Sequence, residues 1–117
     1  MKIKSVAANI PVSNLEKSAK WYREVFLPEE EINISDGMPM IEYKIGQIWI
    51  QLFEGNIKKC DNSLSFEVEN IQEECNRLKK MSVINDEKIE DIPGLVKYLE
   101  FKDPDGNNLC LVELYSE

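Results

Sequence analysis

From Ser5 to Val12 apolar and polar positions alternate: Val6, Ala8, Ile10 and Val12 fall on one side, Ser5, Ala7 and Asn9 on the other. A period of two is that of an extended strand with one buried face. At Leu15 the period changes. Leu15, Ala19, Tyr22 and Phe26 recur at three- and four-residue spacing, which predicts an amphipathic helix. Ser13 and Glu16 form a candidate capping box at its start, with Asn14 as the alternative cap. Strand-like runs follow near Glu31–Ser35, Met40–Ile45 and Ile48–Phe53, punctuated by Asp36-Gly37 and Gly46. In the last of these Ile48, Ile50 and Leu52 oppose Gln47, Trp49, Gln51 and Phe53.

The second half repeats this order. Val12-Ser13-Asn14-Leu15-Glu16 is matched 56 residues later by Val68-Glu69-Asn70-Ile71-Gln72. Each string follows an alternating run and opens a helix. In the second half Leu64, Phe66 and Val68 oppose Ser63, Ser65 and Glu67, Asn70 is a candidate cap, and Ile71, Cys75 and Leu78 mark a buried helix face. Weaker runs near Ser82–Ile84 and Lys88–Ile92 come next, then stronger ones at Val96–Lys102 and Asn108–Leu114. Pro93-Gly94 and Asp105-Gly106 mark turns between them. The pattern predicts an α+β chain forming one domain of two βαβββ modules, approximately residues 1–54 and 62–117, with a polar linker over 55–61. The aliphatic strand faces should pack on the helices, which leaves the mixed faces to line a curved mixed sheet around a cleft.

Composition narrows the chemistry. A chain of 117 residues suits one domain with a sizeable core. No apolar run approaches the roughly 20 residues that span a bilayer, and the N-terminal M-K-I-K-S-V lacks the features of a signal peptide. The three cysteines are odd in number and widely spaced, so reduced thiols in a cytoplasm are the simpler expectation. The net charge of −8 argues against nucleic-acid and anionic-membrane partners and is compatible with a cationic ligand. There is no histidine. The usual neutral metal ligand and the commonest general base near neutral pH are therefore absent, and Ser-His-Asp and Cys-His mechanisms are excluded.

The segment Phe101–Val112, F-K-D-P-D-G-N-N-L-C-L-V, reads as strand, tight turn and strand. Pro104 pre-sets a negative φ and Gly106 accepts a positive one. This string resembles the last hairpin of the vicinal oxygen chelate superfamily, which includes glyoxalase I, bleomycin-resistance proteins and extradiol dioxygenases. The paired βαβββ pattern extends the resemblance over nearly the whole chain. The resemblance implies four metal-ligand positions in the metal-dependent relatives, usually His or Glu, and here they fall at Ala7, Gln51, Ser63 and Cys110. Ala7 offers no donor, Gln51 and Ser63 are weak neutral ones, and a single thiolate does not make a zinc site. No metal or cofactor is expected, and the chain resembles the metal-free members. Cys110 lies between Leu109 and Leu111 with no neighbouring basic residue, which favours an inert buried thiol over a nucleophile.

Trp49 shares its strand face with Gln47, Gln51 and Phe53. An aromatic wall with flanking amides suits a flat ligand, although a tryptophan that fills the core would look the same. Glu67 and Glu100, with Glu42, face the same side if their strands have the right parity; such carboxylates would favour a cationic or aromatic molecule. The ligand-contact candidates are thus Ala7, Gln47, Trp49, Gln51, Phe53, Ser63, Glu67, Glu100 and Cys110. The expected function is glyoxalase/bleomycin-resistance-like binding of a small organic molecule in a metal-free cleft, by a homodimer as two-module relatives commonly form. The alternatives are a lyase or isomerase of the same superfamily with an atypical site, and an interaction module. No catalytic residue stands out.

Overall fold

The computed structural model describes residues 1–57 and 63–115; the rest of the expected linker, with Cys60, lies outside them. The chain divides into two compact units, Met1–Lys59 and Cys60–Glu117, each with its own helix and its own four-stranded sheet.

The first unit runs β1 (Ala7–Val12), α1 (Leu15–Phe26), β2 (Glu30–Ile34), β3 (Met40–Ile45) and β4 (Ile48–Glu54). The strand order is β1-β4-β3-β2, with β1 parallel to β4 and the other pairs antiparallel. Helix α1 is the crossover that carries the chain from β1 back across the sheet, as parallel pairing requires. Ile10, Val12, Ile41, Tyr43, Ile50 and Leu52 are buried beneath it, together with Ser18, Ala19, Tyr22 and Val25 of the helix itself. That helix face is rotated slightly from the expected one. Leu15 and Phe26 are only half-buried, and Tyr22 stacks on Phe26 with ring centroids 5.7 Å apart. The Tyr43 hydroxyl donates to the Ala19 carbonyl at 2.9 Å and so ties the sheet to the helix. Burial pushes its phenol up to about 12. At the sheet edge Arg23 grips Glu31 through both Nε (2.8 Å) and Nη2 (3.2 Å), and this bond holds the Glu31 carboxyl below its usual range.

The second unit repeats the plan with β5 (Ser63–Glu67), α2 (Ile71–Lys80), β6 (Glu90–Ile92), β7 (Val96–Lys102) and β8 (Asn108–Leu114). Its strand order is β5-β8-β7-β6, again with one parallel pair, β5 with β8. Ile71, Cys75 and Leu78 form the buried helix face as expected. Leu99, Phe101, Leu109 and Leu111 form the buried face of the sheet. The expected strand at Ser82–Ile84 is instead the turn that closes α2. Val83 N–H returns to the Leu78 carbonyl at 2.9 Å, and Ser82 adopts a left-handed φ of 60°. Those amides are spent on helix carbonyls, so no strand can form, and Ile84 is buried as a plug at the helix end. The run at Lys88–Ile92 keeps only its last three residues as strand.

Both helices start in the same way. Asn14 Oδ1 accepts from Lys17 N–H at 3.0 Å, and Asn70 Oδ1 accepts from Glu73 N–H at 3.1 Å, so Asn14 rather than the Ser13–Glu16 box is the cap. The last strand of each unit adds a carboxylate to the helix start. Glu54 Oε2 accepts from Leu15 N–H at 2.9 Å, and Glu113 Oε1 accepts from Ile71 N–H at 2.8 Å. These negative groups sit where the helix dipole favours them.

The Asp-Pro-Asp-Gly-Asn turn is organised by Asp103, a residue only 5% exposed. Its Oδ1 accepts from the Asp105 and Asn107 amides at 2.9 and 2.8 Å, and its Oδ2 accepts from Asn107 Nδ2 at 2.8 Å. Gly106 sits at φ 86°, in the left-handed region that the turn requires.

Candidate functional site

The register of the first sheet sorts its residues into rows that run across four strands. On the face turned away from α1 the rows are Ala7–Trp49–Lys44–Glu30, Asn9–Gln51–Glu42–Ile32 and Pro11–Phe53–Met40–Ile34. Parity in β4 puts Trp49, Gln51 and Phe53 on this face, and the two-residue turn at Gly46-Gln47 makes Glu42 face Gln51 directly. Trp49, Gln51, Phe53, Glu42, Lys44 and Met40 are half-buried, while Ala7 and Asn9 are exposed. The side chains of Asn9, Gln51 and Glu42 have no hydrogen-bond partner among the described residues. Gln47, expected beside Trp49, lies in the turn and is exposed. Strand alternation stops at a turn, so its odd number does not place it on the face.

The corresponding face of the second unit carries the rows Ser63–Asn108–Lys102, Ser65–Cys110–Glu100 and Glu67–Val112–Tyr98–Glu90. Ser63, Glu67, Glu100 and Cys110 therefore share one side of that sheet. The two units repeat one grid. Gln51 stands between Asn9 and Glu42 as Cys110 stands between Ser65 and Glu100, and Lys44 and Lys102 lie one row further on. Lys102 Nζ is held by Asn108 Oδ1 at 2.8 Å. Lys44 Nζ is 3.7 Å from Glu30 in an exposed pair.

Cys110 is 7% exposed. Burial pushes its thiol up and the Glu100 charge adds to that, against a smaller opposite pull from the Ser65 hydroxyl and the Leu99 backbone. The thiol is therefore protonated near neutral pH, which makes it a poor nucleophile and a poor metal ligand. The metal positions that the superfamily resemblance implies are Ala7 and Gln51 in one unit and Ser63 and Cys110 in the other. A methyl group, a neutral amide, a hydroxyl and a protonated thiol do not fit a divalent ion, which needs charged or strongly donating ligands. Among the described residues no group of three or more His, Cys, Asp or Glu is placed to hold a metal ion.

A separate groove of about 510 Å³ lies in the second unit at the start of α2, lined by Glu69, Asn70, Asp91, Lys97 and Glu113 among others. Most of its polar groups are engaged within the chain. Glu113 caps α2, the Tyr115 hydroxyl bonds to Asp91, and Lys97 Nζ lies 5.4 Å from the centroid of the Tyr115 ring. None of the residues expected at a site lines it.

Asn9, Lys44 and Met40 are not among the expected ligand contacts. Asn9 was legible from β1 parity. Lys44 and Met40 share the parity of Glu42, but β3 reads apolar on only one side, and its partners are set by the β3–β4 turn.

No protein-family model matches the sequence, and no curated protein matches it. Among solved structures, the fold is shared with TnmS3, an antibiotic binding protein from Streptomyces sp. CB03234, at 19% identity over 98% of this chain and 99% of that one, with a TM-score of 0.78. It is shared with a member of the glyoxalase/bleomycin resistance protein/dioxygenase superfamily from Sphaerobacter thermophilus at 24% identity, covering 96% and 98% of the two chains, with a TM-score of 0.77. Lactoylglutathione lyase from Agrobacterium tumefaciens is similar at 17% identity, 92% and 91% coverage and a TM-score of 0.74. The chain thus has the two-module α+β fold of the vicinal oxygen chelate superfamily. No helix among the described residues is long and apolar enough to cross a membrane.

Proposed function

We propose that this protein binds a small organic molecule with an aromatic or cationic group, without a metal ion, on the face of its first sheet that carries Trp49, Gln51, Phe53 and Glu42. The observation that carries this reading is the row Asn9–Gln51–Glu42, whose polar side chains lack partners among the described residues, set between the rings of Trp49 and Phe53. A half-buried amide and carboxylate without partners leave hydrogen bonds for a ligand to complete, and completing them is favourable. The adjacent rings supply stacking worth roughly 0.5–1.5 kcal/mol beyond area burial. Ser63, Glu67, Glu100 and Cys110 form the second unit's part of the proposal, as a polar face of the same design. Similarity to an antibiotic binding protein supports the binding reading. Similarity to a lyase supports the enzymatic alternative, in which Glu42, Glu67 or Glu100 would act as acid or base. We further propose a homodimer in a reducing cytoplasm, to be checked by sedimentation.

The test is a ligand panel read by thermal shift on freshly purified protein, with metal content measured in parallel. A ligand at a hundredfold excess over its Kd should stabilise by about 2.7 kcal/mol. Trp49→Phe should weaken that ligand by several-fold. Stoichiometric metal, or binding indifferent to Trp49 and Glu42, would overturn the proposal.

A further inference from the structure

We infer that the ligand of the first unit is a zwitterion of the α-amino-acid class with a large apolar side chain. This rests on the binding reading above and deepens it. Successive rows on the face are two residues apart along each strand, roughly 7 Å. Their chemistry changes in order. The first row carries the Lys44 cation beside the Glu30 carboxylate at the sheet edge, the second the Glu42 anion, and the third an apolar surface of Phe53 with Met40. The long Lys44 and Glu42 side chains can converge from neighbouring rows on a carboxylate and an ammonium carried by one carbon, with the apolar row beyond Glu42 left for that carbon's side chain.

The pairing of charges decides the class. A ligand with only a positive charge would satisfy Glu42 but meet the Lys44 ammonium one row away. A ligand with only a negative charge would meet Glu42. A zwitterion satisfies both, with Gln51 opposite Glu42 to accept a further ammonium hydrogen and Trp49 opposite Lys44 to cover the backbone atoms of the ligand. Lys44 is available for this role. Its pair with Glu30 is 3.7 Å long, with side chains 37% and 56% exposed, and such pairs contribute little. The second unit has the same Glu100 and Lys102 positions, but Asn108 stands where Trp49 does and holds the lysine at 2.8 Å. The geometry therefore favours the first unit.

The experiment is titration calorimetry of the full chain with L-phenylalanine, L-leucine, N-acetyl-L-phenylalanine, L-phenylalaninamide and phenethylamine. L-phenylalanine is expected to bind, and removing either its ammonium or its carboxylate to weaken binding at least tenfold. Glu42→Gln should weaken L-phenylalanine about tenfold and leave the weak N-acetyl compound unchanged. Lys44→Met should do the same relative to the amide. Both variants sit on a strand face outside the core, and circular dichroism checks that they fold. Capped analogues binding as well as the parent would overturn the inference, as would failure of both free amino acids. If phenethylamine binds in a Trp49-dependent way while the amino acids do not, the zwitterion class is wrong and the binding face stands. If nothing binds, both fall.

Discussion

Replacing Asp103 with alanine should destabilise the protein by about 2–4 kcal/mol, because three hydrogen bonds to one buried carboxylate are lost together. Each bond to a charged acceptor contributes roughly 1.5–3 kcal/mol, but the losses are not additive. The exposed Pro104 and Gly106 let water reach part of the emptied turn, which keeps the total well below the sum. A loss of this size is a large share of the roughly 5–15 kcal/mol that a domain has in all. It should lower Tm by about 10 °C for a chain of this length. Urea denaturation followed by tryptophan fluorescence reads the change as a lower midpoint at constant slope. Two further variants separate the hydrogen-bond account from simple truncation. Asp103→Asn keeps an oxygen for the two amides but turns an NH2 toward Asn107 Nδ2, so it should cost less than alanine. Adding Asn107→Asp restores an acceptor opposite that NH2 and should recover most of the loss. An alanine variant within about 0.5 kcal/mol of the parent, the scatter of ordinary surface changes, would refute the reasoning. So would a double variant no better than Asp103→Asn.

Two other outcomes follow from buried groups. Tyr43 has its phenol pushed up to about 12 by burial. The neutral form is the one the fold favours, so its contribution is complete below the unfolded value near 10 and is lost as pH rises toward 12. Alkaline unfolding curves should therefore flatten in Tyr43→Phe, which itself should cost roughly 1 kcal/mol at neutral pH for the lost bond to Ala19; an unchanged alkaline profile would count against a buried neutral phenol. In a Cys60→Ser background, Cys110 should react with a thiol reagent at pH 8 at least tenfold more slowly in the native protein than in urea, because burial raises its pKa and hides it. Fast native labelling, mapped to Cys110 by mass spectrometry, would contradict the inert thiol.

What the sequence determined by itself is local. Alternation in Ala7–Val12 and Ile48–Glu54 placed Asn9, Trp49, Gln51 and Phe53 on one side, because successive side chains of a strand point to opposite faces whatever its neighbours are. Asn70, and Asn14 as one of two candidates beside the Ser13–Glu16 box, announced two helix starts, since the cap bond spans only three residues. Asp-Pro-Asp-Gly-Asn announced the last hairpin through φ preferences alone. The same local logic stops where a turn interrupts it: it extended the β4 alternation to Gln47, which lies in the turn before that strand, and it read Ser82–Ile84 as extended although its amides return to α2. Tertiary structure decided which residues meet. Glu42 faces Gln51, and Gln51 faces Asn9, only because β4 lies between β3 and β1 in one register. That register is set by a tight turn on one side and a helical crossover on the other. Such pairings join residues dozens of positions apart, and a slip of one residue would turn the whole row to the opposite face. The row that carries the proposed ligand site is thus a property of the assembled sheet, built from residues whose sidedness was already written in the chain.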